Sequence, residues 1–320
     1  MIDNYNRKIN YLRISITDRC NMRCVYCMPE DGVNKKLHKD ILRHEEVVDI
    51  VKAAANLGVN KIRLTGWEPL VKHGITKLIS DISAVDGITD LSLTTNGALL
   101  KDQLKELKKA GLTRINISLD TLDHEKYESI TRGGNLSFVL DAIDEALKIG
   151  MTPLKINVVL IGGFNVDEIK DFVELTRNNP IHVRFIELMP IGEASEWNIN
   201  KFVSNEVVLT KAKLFPIDRE DKGSPATYYK LEGGVGKVGL INPISCSFCD
   251  DCNRLRITSD GKIKPCLHSD EEIDLLDTLR NNPKELSEKL LEAVKNKPEK
   301  HEINEENYVP ILRNMNRIGG

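Results

Sequence analysis

Apolar and polar positions follow two alternating rhythms along this chain. Residues 11–17 alternate with a period of two, as a strand does, and run into a cysteine-bearing loop. Residues 44–57 have helical spacing: Val47, Val48, Ile50, Val51 and Ala54 can form one apolar stripe, and Gly58 can end it. The pattern then repeats. Strands are expected at 61–65, 91–95, 114–119, 154–161 and 182–188, with helices at 75–85, 101–110, 136–149 and 166–177. That makes six β/α units of about 30 residues each, the signature of a parallel sheet with helices outside. A full (β/α)8 barrel needs eight such units, so six followed by different structure predict a partial, open TIM-type barrel, (β/α)6. Ligands of such a fold gather at the C-terminal ends of the strands, and the motifs below are expected there.

After about residue 215 the rhythm changes. Residues 228–231, 238–241 and 254–258 read as short antiparallel strands. Ser259-Asp260-Gly261 is a hairpin signal leading to 262–264, and helices are expected at 275–279 and 285–294. The expected organisation is a barrel over 1–215 and an extension over 216–320 that bears short antiparallel strands and helices.

Composition narrows the picture only by exclusion. The formal net charge of −3 favours neither nucleic acid nor a membrane surface as partner. No apolar run approaches the roughly 20 residues of a membrane span, and the polar start MIDNYNRK is not a signal peptide, so the protein is expected in the cytoplasm.

The seven cysteines carry more. Cys20, Cys24 and Cys27 read C-x3-C-x2-C, while Cys246, Cys249, Cys252 and Cys266 form a second group over two hundred residues away. An odd number of clustered cysteines in a reducing compartment points to metal or cluster ligands rather than disulfides. Three close thiolates can hold a [4Fe–4S] cluster by three irons and leave the fourth open to a substrate. The alternative is a structural zinc site that lacks its fourth ligand. In the second group, Cys249-x2-Cys252-x13-Cys266 suits another site of this kind. If Cys246 also ligates, that site is closed, and zinc or an electron relay follows. Between these cysteines, Arg254 and Arg256 share one face of a strand, an anion site if buried and a solvated pair if not.

The first cysteine loop resembles that of radical S-adenosylmethionine (SAM) enzymes. Both cysteine groups, the order of motifs and the Gly319-Gly320 end resemble the molybdenum cofactor biosynthesis protein A family, the GTP 3′,8-cyclases, over nearly the whole chain. The match is most specific in residues 18–29 and 248–267. The resemblance implies two [4Fe–4S] clusters, SAM as cosubstrate and GTP as substrate. It implies hydrogen abstraction from ribose C3′ and attack of that radical on C8 of guanine, giving 3′,8-cyclo-7,8-dihydro-GTP. By position, Cys20, Cys24 and Cys27 would hold the SAM cluster, and Cys249, Cys252 and Cys266 the GTP cluster, with Cys246 a bystander. Tyr26, Trp67, Ser118 and Met189 would contact SAM. Arg13, Arg63, Thr94, Lys155, Arg254 and Arg256 would contact GTP, where four arginines and a lysine can balance a triphosphate of about four negative charges. The glycine tail would enter the site. Expected partners are a reductant such as a flavodoxin or ferredoxin, a downstream cyclic pyranopterin monophosphate synthase, and a second copy in a homodimer. Neither nucleic acid nor membrane is expected.

One position departs from the family pattern. Residues 65–70 read Thr-Gly-Trp-Glu-Pro-Leu, so Trp67 stands where the family has the second glycine of Gly-Gly-Glu-Pro. An indole there either swings outward or crowds the SAM site, and weakened SAM binding is expected. The rival readings are a radical SAM peptide-modifying enzyme and a non-catalytic iron–sulfur or zinc protein on the same scaffold.

Overall fold

A computed structural model of the chain describes residues 1–34, 36–195, 198–219, 221–246 and 248–303, with residues 198 and 199 as backbone only. Six strands, β1 (Tyr11–Ser15), β2 (Lys61–Thr65), β3 (Asp90–Thr95), β4 (Arg114–Ser118), β5 (Leu154–Leu160) and β6 (Ile181–Glu187), pair in chain order and in parallel. Between them run α1 (His44–Asn56), α2 (Ile75–Ser83), α3 (Leu100–Lys109), α4 (His124–Thr131), α5 (Leu136–Lys148) and α6 (Ile169–Asn178). Short helices α7 (Asn198–Lys201) and α8 (Glu206–Lys211) follow. The sequence expectation missed α4: its apolar residues Tyr127 and Ile130 are too few to show a stripe in eight residues.

Each barrel strand is apolar on one side and mainly polar on the other. Leu12, Ile14, Ile62, Leu64, Leu91, Leu93, Ile115, Ile117, Ile156 and Val183 are buried in one continuous core with the helices. The alternate positions carry Tyr11, Arg13, Lys61, Arg63, Ser92, Thr94, Arg114, Asn116, Lys155, His182 and Arg184. Fully buried parallel strands ordinarily read as continuous apolar runs. Polar alternation here means that the inner face surrounds a polar cavity rather than a packed core.

The extension completes the sheet at both edges. Strand β9 (Lys237–Ile241) adds to β6 and β10 (Arg254–Ile257) adds to β1, both in parallel. Antiparallel flaps lie beyond them: β8 (Ala226–Leu231) and β7 (Leu214–Ile217) on one side, β11 (Lys262–Lys264) and β12 (Ile273–Asp274) on the other. The order is β12-β11-β10-β1-β2-β3-β4-β5-β6-β9-β8-β7. The expected antiparallel strands 238–241 and 254–258 are thus antiparallel to one neighbour and parallel to the barrel, a pairing that local sequence cannot encode. Helices α9 (Leu276–Asn281) and α10 (Leu286–Lys295) close the chain's described part. Among the described residues no helix is long and apolar enough to cross a membrane.

Candidate functional site: two cysteine clusters and a basic cavity

Strand β1 delivers the first cysteine loop at its C-terminal end. Main-chain bonds from Arg23 to Thr131 (3.2 Å) and from Val25 to Ile130 (2.9 Å) tie the loop to α4. The Arg132 guanidinium fastens it again by donating to the carbonyls of Arg23 and Met28, both at 2.9 Å. Cys20, Cys24 and Cys27 are half-buried. Burial pushes the Cys24 thiol well up, and the neighbouring Cys27, Asp120 and Cys20 push it further. The three sulfurs therefore sense one another's charge, a repulsion that a cationic cluster relieves. Among the described residues no three His, Cys, Asp or Glu form a group that could hold a single metal ion. A cubane binds each sulfur through a different iron, and three thiols carried by one short loop are the donor set it takes.

Tyr26 donates to Asp120 Oδ2 at 2.6 Å, and Val159 N–H donates to Asp120 Oδ1 at 2.9 Å. Burial nevertheless outweighs these bonds and raises the Asp120 pKa to about 6. The sign follows. A folded pKa above the unfolded value of about 3.9 means that the folded state holds the proton more tightly. This contribution is complete below about pH 4 and is lost as pH rises through 6, on the order of 2–3 kcal/mol for the roughly two-unit shift. Asp120→Asn is expected to flatten that part of the stability curve of the cluster-free chain, read by denaturant unfolding between pH 4 and 6.5.

The Gly66–Trp67 turn lies at the end of β2. Gly66 has φ +125°, and a Cβ there would sit 2.8 Å from the Thr17 carbonyl oxygen, so this glycine is required. Trp67 carries no such strain, since Asn6 and Arg132 are the only non-glycine residues with positive φ among those described. The backbone thus accepts a side chain at 67. The indole is half-buried and has not swung free: its Nε1 is buried and has no hydrogen-bond partner among the described residues. Next to it, fully buried Glu68 accepts from Leu70 N (2.9 Å), Thr95 Oγ1 (2.8 Å) and Asn96 N (2.7 Å), bracing the turn against β3. Ser118 ends β4, and Met189 follows β6 packed against Ile191. Cys20, Tyr26, Trp67, Ser118 and Met189 therefore share one end of the barrel.

The second cysteine group lies at the other end, which corrects the expectation that every motif falls at the strands' C-terminal ends. Arg254 pairs with Tyr11 at the start of β1, and Cys252 precedes it by two residues. Strand β11 runs back antiparallel, Lys264 opposite Arg256, and so returns Cys266 to the same level. Cys249, Cys252 and Cys266 are half-buried, whereas Cys246 is exposed. Burial opposes the Cys252 thiolate, but Arg254 and Lys297 outweigh it and bring its pKa to about 6. A thiol held as thiolate near neutral pH suits cluster ligation.

Between the two cysteine groups stands a belt of cations. Arg256, Arg13 and Arg63 are direct neighbours across β10, β1 and β2. Arg254 and Arg256 are each only 8% exposed, which overturns the solvated-pair alternative. Burial, then Arg256 and Arg63, depress the Arg13 pKa well below the usual guanidinium range. Thr94 Oγ1 is buried without a partner among the described residues. Lys155 lies opposite Asn116 and His182. Burial, with Arg184, Arg114 and Arg63 after it, lowers its pKa to about 6.

Arg63 and Lys155 also line a cavity of about 170 Å³ with residues that motif reading missed: Tyr11, Lys61, Arg114, His182 and Arg184. Their signal was available, because each occupies the polar phase of a strand assigned to a parallel sheet. The Gly319-Gly320 tail lies outside the described residues.

Comparisons with known proteins agree with this geometry. The chain matches the family descriptions Radical SAM superfamily over residues 14–176 and Molybdenum Cofactor Synthesis C over residues 181–303. Proteins named GTP 3′,8-cyclase are 57% identical in Alkaliphilus oremlandii (strain OhILAs) and 50% identical in Clostridium botulinum (strain Hall), with 100% of both chains covered. The crystal structure of Streptococcus suis SuiB shares the fold at TM-score 0.55 and 18% identity, covering 87% of this chain and 68% of that one. Its form bound to S-adenosylmethionine gives TM-score 0.51 at 16% identity, with 87% and 66% covered. With two cysteine sites at opposite ends of one basic barrel, and full-length identity of this order, the chain belongs to the GTP 3′,8-cyclase family of the radical SAM superfamily.

Proposed function

We propose that this chain is the radical SAM enzyme that converts GTP to 3′,8-cyclo-7,8-dihydro-GTP for molybdenum cofactor synthesis. The observation that carries the reading is the arginine belt between two three-cysteine sites, since it lets an anionic substrate lie between them. We assign Cys20, Cys24 and Cys27 to the cluster that binds SAM, and Cys249, Cys252 and Cys266 to the cluster facing GTP. When bound, the first cluster and SAM supply the radical that removes a hydrogen atom from the ribose. The chain's own residues do the rest by positioning. Arg13, Arg63, Lys155, Arg254 and Arg256 hold the triphosphate, and Thr94 offers its free hydroxyl to the nucleoside. Tyr26, Ser118 and Met189 frame SAM, and the Tyr26–Asp120 bond fixes the cysteine loop against β5. The buried arginines are already in place, so they need little reorganisation when the substrate arrives.

Residues 1–215 form the SAM-binding unit in this reading, and 216–320 supply the second cluster and close the barrel's open side. A one-electron reductant such as a flavodoxin or ferredoxin, a downstream cyclic pyranopterin monophosphate synthase, a second copy of the chain and a cytoplasmic setting complete it. The decisive test is anaerobic turnover with GTP, SAM and dithionite. It should yield 5′-deoxyadenosine and the cyclised nucleotide together; 5′-deoxyadenosine without GTP conversion would refute the substrate assignment.

Trp67 weakens the SAM site in this proposal. Its indole is partly buried beside the first cysteine loop, and the buried Nε1 lacks an acceptor, which favours crowding over an outward swing. Trp67→Gly is expected to tighten SAM binding about tenfold or more, a gain of roughly 1.4 kcal/mol. Calorimetry on the reconstituted protein measures it, and equal affinities would remove the effect.

A further inference from the structure

The basic cavity already holds an anion of the chain's own. The connection between β7 and β8 places Asp221, Gly223 and Pro225 in the wall that Lys61, Arg63 and Lys155 also line. Asp221 ion-pairs with Lys61 at the start of β2. Five strands separate β2 from β8 in the sheet, so the pair bridges the barrel rather than following its wall.

Other contacts seat the connection. Asp221 Oδ1 accepts from the Gly223 N–H at 3.0 Å, which leaves Oδ2 to meet Lys61. A Cβ on Gly223 would fall 2.4 Å from Asn253 Nδ2, so the backbone here lies directly on the residue that precedes β10. Arg219 reaches Asp251, in the second cysteine loop, at 3.5 Å.

The two lower cations of the cavity differ in how they are neutralised. Arg114 Nε donates to Asp90 Oδ1 on the adjacent strand at 2.9 Å, a contact of the wall itself. The counterion of Lys61 comes instead from a hairpin connection, which can withdraw without unpairing a strand. The Lys61 and Asp221 side chains are 25% and 48% exposed, so water screens the pair and weakens it. A triphosphate of about four negative charges is a stronger partner for the same ammonium.

We propose that Asp221 is a resident counter-anion of the substrate cavity. Its carboxylate occupies Lys61 and keeps the β7–β8 connection across the barrel until the terminal phosphate of the substrate takes the lysine. Asp221 is thereby a specificity-determining residue, because only a nucleotide whose phosphates extend to Lys61 displaces it. The proposal rests on the reading of this cavity as the triphosphate site.

The test uses the full chain, reconstituted anaerobically with iron and sulfide, and calorimetric titration with GTP and with GMP. Asp221→Asn keeps the shape of the side chain and removes its charge at an exposed position. It is expected to bind GTP about fivefold more tightly, the scale of an exposed ion pair that no longer has to be broken, and to gain nothing for GMP. Unchanged GTP affinity overturns the proposal, and so does an equal gain for both nucleotides, which would reflect only the general field of the carboxylate. Lys61→Met closes the cycle: in that background Asp221→Asn should leave GTP affinity unmoved, whereas the full gain would show that the carboxylate acts without the lysine and would overturn the proposal. Failure of the unmodified chain to bind GTP would refute the reading of the cavity and this proposal with it. GTP binding indifferent to Asp221 refutes the proposal alone.

Discussion

Cys24→Ala is expected to abolish SAM cleavage while leaving the protein folded. The cysteine sits in the middle of the C-x3-C-x2-C loop, and both of the others press on its sulfur. Removing it leaves two thiolates for a cube that needs three, so iron should drop from about eight per chain to about four, the content of one cube. Reductive formation of 5′-deoxyadenosine should fall to background. The fold should survive, because the loop is held by the main-chain bonds to α4 and by Arg132 rather than by the cysteine side chain. A small, half-buried side chain of this kind is worth about 1 kcal/mol of stability. Cys246→Ala is the matched control. That thiol is exposed on the connection between β9 and β10, and its loss should leave iron and SAM cleavage unchanged. Equal effects of the two substitutions would remove the distinction between ligand and bystander.

GTP binding should take up a proton, and Lys155 should be where it goes. In the free chain, burial and the neighbouring Arg184, Arg114 and Arg63 hold its pKa at about 6, so at pH 8 it is almost wholly neutral. A triphosphate bearing about four negative charges reverses the local potential and favours the ammonium. Uptake should approach one proton per GTP at pH 8. Affinity should fall by up to about tenfold for each pH unit above 6, until the pKa of the bound state is reached. Calorimetry in buffers of different ionisation enthalpy measures the uptake directly. Lys155→Met should abolish it and flatten the pH profile while weakening binding at pH 6. The absence of any buffer dependence in the unmodified protein would show that Lys155 does not meet the phosphates.

Much of the architecture was legible in particular residues. The apolar stripe of α1 and the run from Lys61 to Thr65 set local periods that no tertiary contact needed to override. The cysteine spacings marked out both cysteine groups. Trp67 stood out as a departure from the family pattern, but only the structure shows that its neighbour Gly66 is a position that glycine alone can fill and that the indole is partly buried. Lys61, Arg114, His182 and Arg184 were visible as polar residues in the wrong phase for a packed sheet. Lys297 gave no signal at all: a lysine after a helix is ordinarily a solvated one, and only the fold shows it buried.

The sequence by itself determined what is local: the six β/α units, the two cysteine groups, the side-by-side placing of Arg254 and Arg256, and the membership that motif order implies. Tertiary structure alone decided which strands meet across the barrel's open side, and so placed the second cysteine group at the end opposite the first. It also brought Arg13, Arg63 and Arg256 into register, and buried Lys297 against the Arg254 and Pro265 carbonyls near the second cysteine group. The reason is physical. Period and spacing act through neighbours along the chain, whereas burial, mutual charge repulsion and hydrogen bonding between distant segments exist only once non-local strands have paired.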